Sequence, residues 1–276
     1  MNREELANLI LNKLKCNQEL LQHEINIPNR IQSAVIDSLL PEEIAINIFS
    51  SFPDVGQMSL KRSIKEYKFV AAQMDQYNSL LEEIIYAFQD KRIVDFFSTI
   101  TGIDSLEPDP NLYAGGISAM TKGGYLRPHI DNSHNAERTR YRALNLLYYL
   151  TPNWSEESGG SLQLWDDGPL KVRRSIPASF NRLAVMLTNR LSWHSVDEIK
   201  EDRIRWCISN YYFSTKSPDQ VDYFHSTSFR DEKRGFFDFA MKSDNFIRTL
   251  ILRAAPKLYK NPHRYIRINK DNNIKK

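Results

Sequence analysis

The sequence predicts a mainly β protein, an antiparallel sandwich or barrel such as a jelly roll, with helices added at both ends. Three observations carry that prediction. From about Leu112 to Phe213 the apolar period shortens from about 3.6 residues to about 2. Roughly eight short runs rich in β-branched and aromatic residues fall in that stretch: YAGGISAM, YLRPHID, ALNLLYYL, GSLQLW, LKVRRSI, RLAVMLT, LSWHSV and RIRWCISNYYF. Turn chemistry separates them, at Lys122-Gly-Gly, Thr151-Pro-Asn, Ser158-Gly-Gly, Asp166-Asp-Gly and Thr188-Asn-Arg, with no helical period between. A parallel sheet, which needs a long crossover between neighbouring strands, is excluded on that ground.

The flanking elements follow in order. Leu6, Leu9, Ile10 and Leu14 recur at helical spacing. In LLPEEIAINIFSSFP, Pro41 suits the first position of a helix, Glu42 and Glu43 favour its first turn, and Pro53 lies beyond its end. Two further helices are predicted after Asn78 (SLLEEIIYAFQ) and after Asp90 (KRIVDFFSTITG), the second stopped by Gly102. Beyond Phe213 a polar connection leads to Phe246, Ile247, Leu250, Ile251, Ala254 and Ala255. These define one apolar face of a helix that Pro256 ends and that is expected to dock on the core. From Lys257 to Lys276 there are seven Lys or Arg and one acid, Asp271, which reads as a solvated tail. No repeat and no long linker interrupts the chain, so a single domain is expected. It comprises a helical support region at 1–105, a β-core at 106–215 and a C-terminal helical extension with its basic tail at 216–276.

Composition bounds the function. With 41% hydrophobic and 26% charged residues over 276 positions, the chain can bury a substantial core. Its 37 basic and 34 acidic residues leave a net charge of only +3, so binding to nucleic acid is not expected from overall charge. Cys16 and Cys207 are too few for a disulfide framework and suit a reducing compartment. The start, MNREELANLILNKLKC, is no signal peptide, and no run of apolar residues reaches the length of a membrane span. A cytoplasmic protein with no membrane partner is expected.

Six histidines are present, and two stand out by context. His129 and Asp131 form an H-x-D pair at the end of a predicted strand, where residues two apart project to the same side. His194 lies on another predicted strand near the far end of the β-region. Two imidazoles and one carboxylate on one side of a metal leave the opposite positions open, the geometry of non-haem Fe(II) oxygenases. The strand that closes the β-region places Arg205, Cys207, Ser209 and Tyr211 on one face. If that face is interior, a buried guanidinium needs an anion, and a carboxylate meets it through two parallel hydrogen bonds. Arg203 has the same strand parity and is the alternative. His134, in the loop after the H-x-D pair, reads as a solvated loop residue, and His225 and His263 are given no role. Gly159 and Gly160 read as a bulge or tight turn opening a strand.

From HIDN through RALNLLYYLTPNWSEESGGSLQLWDDG, RLAVMLTNRLSWHSV and RIRWCISNYYF, the sequence resembles the prolyl 4-hydroxylase-like branch of the Fe(II)/2-oxoglutarate-dependent dioxygenases. The likeness covers about residues 112–213. It implies a double-stranded β-helix core and iron ligands at His129, Asp131 and His194. It further implies 2-oxoglutarate held by Arg205, with Tyr149 and Ser209 supporting the same carboxylate. The chain departs from the family at Ala119, where a Tyr is common; Tyr113 and Tyr125 are near but out of register. The implied reaction consumes 2-oxoglutarate and O₂ as co-substrates, with ascorbate as a reductant. It yields succinate and CO₂ and hydroxylates an unactivated C–H bond of a prolyl residue, a free amino acid or another metabolite or glycan. Competing readings are an oxidative demethylase of nucleic acid or protein, a non-catalytic metal-binding jelly roll, and an interaction module centred on the helical flanks. Specificity is expected in the loops Lys122–Tyr125 and Asn132–Arg140.

Overall fold

Strand residues in this chain divide by parity between two apolar layers, and that division sets the architecture. The computed structural model describes residues 1–232, 235–254 and 265. The helices are α1 (Arg3–Cys16), α2 (Gln18–Ile25), α3 (Glu42–Ser50), α4 (Ser79–Ala87), α5 (Lys91–Thr101) and α6 (Phe236–Ala254). The strands are β1 (Ser33–Ile36), β2 (Ser59–Arg62), β3 (Glu66–Ala71), β4 (Leu106–Pro108), β5 (Gly116–Met120), β6 (Tyr125–Ile130) and β7 (Tyr141–Tyr149). They continue with β8 (Leu162–Leu164), β9 (Arg174–Ile176), β10 (Arg182–Leu187), β11 (His194–Val196), β12 (Arg205–Ser214) and β13 (Ser228–Phe229). Each of the eight apolar runs of the β-region forms a strand, β5 to β12.

All strand pairs are antiparallel, in the order β1-β10-β7-β12-β5-β3-β6-β11-β8-β9. β3 turns the corner of this sheet: Phe69 to Ala71 pair with β5, while Glu66 and Tyr67 pair with β6. The result is the curled, two-faced sheet of a jelly roll. On β10, Leu183, Val185 and Leu187 face the helices, whereas Ala184 and Met186 face the interior. β7 and β12 alternate likewise: Leu144, Leu146, Tyr148, Trp206 and Ile208 point outward to the helix layer, Leu147, Tyr149 and Cys207 inward.

The outer layer explains the N-terminal helices. Asn2 and Glu5 form a reciprocal cap on α1, Asn78 and Asp90 cap α4 and α5, and Gly102 ends α5 in the left-handed conformation at φ 68°. Pro41 sits one residue outside α3, at its cap. Apolar residues of this layer meet the sheet directly, Phe88 at the end of α4 against Tyr148 and Phe97 of α5 against Tyr212, with ring centroids 5.9 and 6.1 Å apart. The support region is not helical throughout, however. It supplies β1, β2 and β3, of which β1 extends the sheet beyond β10.

The C-terminal segment differs from expectation. β13 pairs with β6, beside the H-x-D pair, and α6 begins ten residues before Phe246. Its predicted apolar face does not dock: Phe246, Ile247, Leu250 and Ile251 are exposed. The inner side carries Asp238 and Asn245 with Met241, and Asp238, Asn245 and the edge residue Asp244 find partners on Arg230, Phe229 and Lys65. The helix stop at Pro256, His263 and the basic tail lie outside the described residues, apart from Tyr265.

Candidate active site

The H-x-D pair and the third histidine converge because β6 and β11 are neighbours in which His194 stands directly opposite His129. Their ring centroids are 4.1 Å apart. Asp131, one residue beyond β6, places its carboxylate oxygens 3.6 Å from Nε2 of His129 and 3.7 Å from Nε2 of His194. One potential ligand atom from each of the three residues lies within 4.8 Å of the other two. Both imidazoles are held the same way. Nδ1 of His129 lies 2.9 Å from the Arg127 carbonyl, and Nδ1 of His194 2.9 Å from the Ser192 carbonyl. A carbonyl only accepts, so each Nδ1 donates and each Nε2 keeps a free lone pair aimed at the shared point.

Electrostatics prepare His129 and Asp131. Burial, reinforced by neighbouring His194, pushes His129 down to about 3, so its ring is neutral and able to ligate at ordinary pH. Burial alone would raise Asp131, but Arg142, His194, His129 and a hydrogen bond from Asn145 together hold its carboxyl well below the usual carboxylate range. Two of these helpers were not legible as site residues in the sequence. Asn145 donates from Nδ2 to Asp131 at 2.8 Å. The buried Arg142 guanidinium is 3.5 Å from the same carboxylate, donates to Asn132 at 3.1 Å and lies over the Tyr211 ring at 4.1 Å. The available signal was parity: Asn145 is a polar residue on the inward face that Leu147 and Tyr149 share.

The triad opens into a cavity of about 690 Å³. Arg205, Cys207, Ser209 and Tyr211 all line it, as their shared strand face requires. Arg203 does not: it is exposed, donates to the carbonyls of Pro152 and Asn153 and pairs with Glu201. Arg205 is buried, its Nε has no hydrogen-bond partner, and its nearest donor contact is the Met120 sulfur at 3.8 Å. Its guanidinium lies 4.7 Å from the ring centre of Tyr149, whose buried hydroxyl also lacks a well-formed partner. Burial pushes the Tyr149 hydroxyl up, against the pull of Arg205, so it stays a protonated donor. Among the described residues this buried, cavity-lining cation has no carboxylate partner and donates to a sulfur, so it fits an anionic guest such as a carboxylate. Tyr149 sits behind Arg205 rather than on the cavity wall.

Gly160 makes room for this arrangement. It holds φ at 74°, and a β-carbon there would stand 2.6 Å from Cδ of Arg205 and 2.4 Å from Ile199. Ala119 faces the helix layer and does not line the cavity, whereas residues 113–118 and Met120 do. Asn132 and the loop from His134 to Arg138 form part of the rim, as expected, whereas Lys122–Tyr125 do not reach it. His134 is half-buried on that rim and bonded to Ser133, and it does not join the triad. The opposite wall comes from the C-terminal extension: Phe224 to Thr227, Phe229 and Arg248. Phe229 stacks on the His129 ring at 5.2 Å. His225 therefore lines the cavity, although the sequence offered no reason to place it there.

Comparison with known proteins agrees with this geometry. Residues 115–213 match the 2OG-Fe(II) oxygenase superfamily. The chain is 25% identical over 204 residues to prolyl 3-hydroxylase OGFOD1 of Mus musculus, covering 72% of this chain and 34% of that one. The chain thus spans about a third of the length of the curated relative it matches. Among solved structures, a prolyl 4-hydroxylase from Phytophthora capsici superposes with a TM-score of 0.53 at 14% identity, covering 90% of this chain and 77% of that one. SnoN, a non-haem alpha-ketoglutarate-dependent epimerase from nogalamycin biosynthesis, gives 0.50 at 12% identity, covering 80% and 89%. These structures share the jelly-roll fold.

Proposed function

We propose, from the membership of residues 115–213 in the 2OG-Fe(II) oxygenase superfamily, that this protein is an Fe(II)- and 2-oxoglutarate-dependent hydroxylase. The single observation that carries the proposal is the convergence of His129, Asp131 and His194 at the floor of a cavity that also holds an unpaired Arg205. Nε2 of each histidine and the Asp131 carboxylate would hold the iron. Arg205 would hold the distal carboxylate of 2-oxoglutarate, with Ser209 on the same wall and Tyr149 as a supporting hydroxyl. Bound iron with 2-oxoglutarate and O₂ supplies the oxidising power to break an unactivated C–H bond, with succinate and CO₂ as by-products and ascorbate as the reductant.

The chain's own part is to bind, orient and exclude water. Arg127 and Ser192 fix the tautomer and tilt of the two imidazoles through their carbonyls. Arg142 and Asn145 keep Asp131 ionised and facing the histidines. Phe229 covers one side of His129 and keeps bulk water from it.

For the prime substrate we propose a prolyl residue within a peptide. The rings of Phe224 and His225 on the cavity wall suit the compact, apolar pyrrolidine. Thr227 on the same wall offers a hydroxyl to a peptide backbone, while Asn132, Asn135 and Ser226 are held in place by bonds to Arg142, Thr139 and Thr249. The relative named as a prolyl 3-hydroxylase supports the same class. The test is succinate release with iron, 2-oxoglutarate and proline-containing peptides, read beside a one-oxygen mass gain on the peptide. His194→Ala should abolish both signals. Unchanged turnover in that variant would remove the assignment; turnover with free amino acids or glycans but not peptides would keep the chemistry and replace the substrate.

A further inference from the structure

The C-terminal helix is built inside out. Asp238 and Met241, 3% and 2% exposed, lie on its inner side with Asn245. Phe236, Phe239 and Phe246, 79%, 68% and 67% exposed, share the outer side with Ile247, Leu250 and Ile251. At the helical period these positions fall on one side, in two clusters at 236–239 and 246–251 joined across Ala240 and Ser243. Half of the large apolar side chains exposed among the described residues belong to this single helix.

The apolar side cannot simply roll inward. Arg230 donates to Asp238 at 2.5 Å, Lys65 pairs with Asp244, and the Asn245 side chain both accepts from the Phe229 N–H at 3.1 Å and donates to its carbonyl at 2.7 Å. Thr249 and Ser226 hydroxyls meet at 3.2 Å. Turning the apolar side to the core would bury or break each of these polar contacts.

Charge identifies the occupant. Residues 230–276 hold thirteen Lys or Arg against five Asp or Glu, a net of +8, while the other 229 residues sum to −5. The partner must therefore offer apolar and anionic surface together. A second copy does not, because a two-fold contact sets the same patch against itself and would bring two such basic segments together. Duplex nucleic acid offers the phosphates but, with its bases stacked inside, leaves the phenylalanines in water; binding of a single strand in place of lipid would overturn the assignment. We propose that α6 lies in the plane of an anionic lipid bilayer, its phenylalanine side in the acyl boundary, with attraction to the headgroups supplied by the basic sequence that follows it. No helix among the described residues is long and apolar enough to cross a membrane; the contact proposed is peripheral. It would also set the cavity, which Arg248 of α6 helps to line, beside the lipid surface.

The full chain is sedimented with vesicles of phosphatidylcholine alone and of phosphatidylcholine with about 30 mol% phosphatidylserine. Binding should be at least ~10-fold tighter to the anionic vesicles and should fall as salt is raised. Phe246→Asp combined with Ile247→Asp should weaken it by at least ~10-fold while the thermal midpoint and peptide-independent 2-oxoglutarate turnover stay unchanged. Failure to bind anionic vesicles, or binding that the double substitution leaves intact, overturns the proposal. So does a dimer that the same substitutions convert to monomer without any lipid binding.

Discussion

Asn145 makes one hydrogen bond that matters, from Nδ2 to Asp131, and leaves its own Oδ1 without a partner. Such groups behind a metal ligand fix its orientation, and removing one typically costs ~10–100-fold in metal affinity. Asn145→Ala is therefore expected to weaken Co(II) binding by ~10-fold or more, measured by competition with a chelating dye, with little change in fold. Gly160 acts on the co-substrate side instead. Gly160→Ala places a methyl group where Cδ of Arg205 and the Ile199 side chain now lie, on a backbone held at φ 74°. The variant should need ~10-fold or more 2-oxoglutarate for half-maximal turnover and should lose ~1–3 kcal/mol of stability by denaturant unfolding. A normal 2-oxoglutarate requirement would show that Arg205 is not held by this turn. Arg203 illustrates why spacing alone could not choose between the two arginines. Both have the parity of β12, but Arg203 precedes the strand and turns out to the Pro152 carbonyl, whereas Arg205 is the first residue paired to β5.

α6 and β13 act together as one strap, and the strap reaches the metal site. Asn245 of α6 bonds both backbone groups of Phe229, β13 pairs with β6, and Phe229 stacks on His129. Its anchor is Asp238, which hydrogen bonding from Arg230 lowers to about 2, with Lys242 adding to the effect against a smaller opposing contribution from burial. A carboxylate whose folded value lies below its unfolded value contributes stability above the unfolded value and loses it as pH falls through the folded one. The strap should thus stay docked above about pH 4 and loosen between about pH 4 and 2. Limited proteolysis or hydrogen exchange across residues 228–251 would report it, and Asp238→Asn should show loosening already at neutral pH. Elements with strong local grammar were readable from sequence: α4 and α5 announce themselves by Asn78, Asp90 and Gly102. β2 was not, because SLKR is short, polar and mostly exposed, and its strand character comes only from pairing with β3. α6 was misread for a different reason. Apolar periodicity says that a helix has an apolar side, but which side faces the core depends on partners such as Arg230 and Lys65, far away in sequence or silent in pattern.

At the scale of the whole molecule, the fold places chemistry where the inner face of the curled sheet and a C-terminal strap meet. The curled sheet brings β6, β11 and β12 around a common interior, so that residues as far apart in sequence as His129, His194 and Arg205 share one cavity. Strand alternation made those residues legible: His129 with Asp131, and Arg205 with Ser209, are same-face pairs that the antiparallel register carries inward. What alternation could not reveal is the wall added by residues 224–229 and Arg248, which follow no periodic pattern and reach the site through tertiary pairing alone. The central claim is that one iron and one 2-oxoglutarate bind together in this cavity. It is tested most directly by adding 2-oxoglutarate to the ferrous protein without oxygen and following the visible charge-transfer absorption of the chelate. A band that saturates at one 2-oxoglutarate per iron, vanishes in His194→Ala and demands much more 2-oxoglutarate in Arg205→Ala is the predicted result. A wild-type protein that develops no band, or a band indifferent to both substitutions, would contradict the claim.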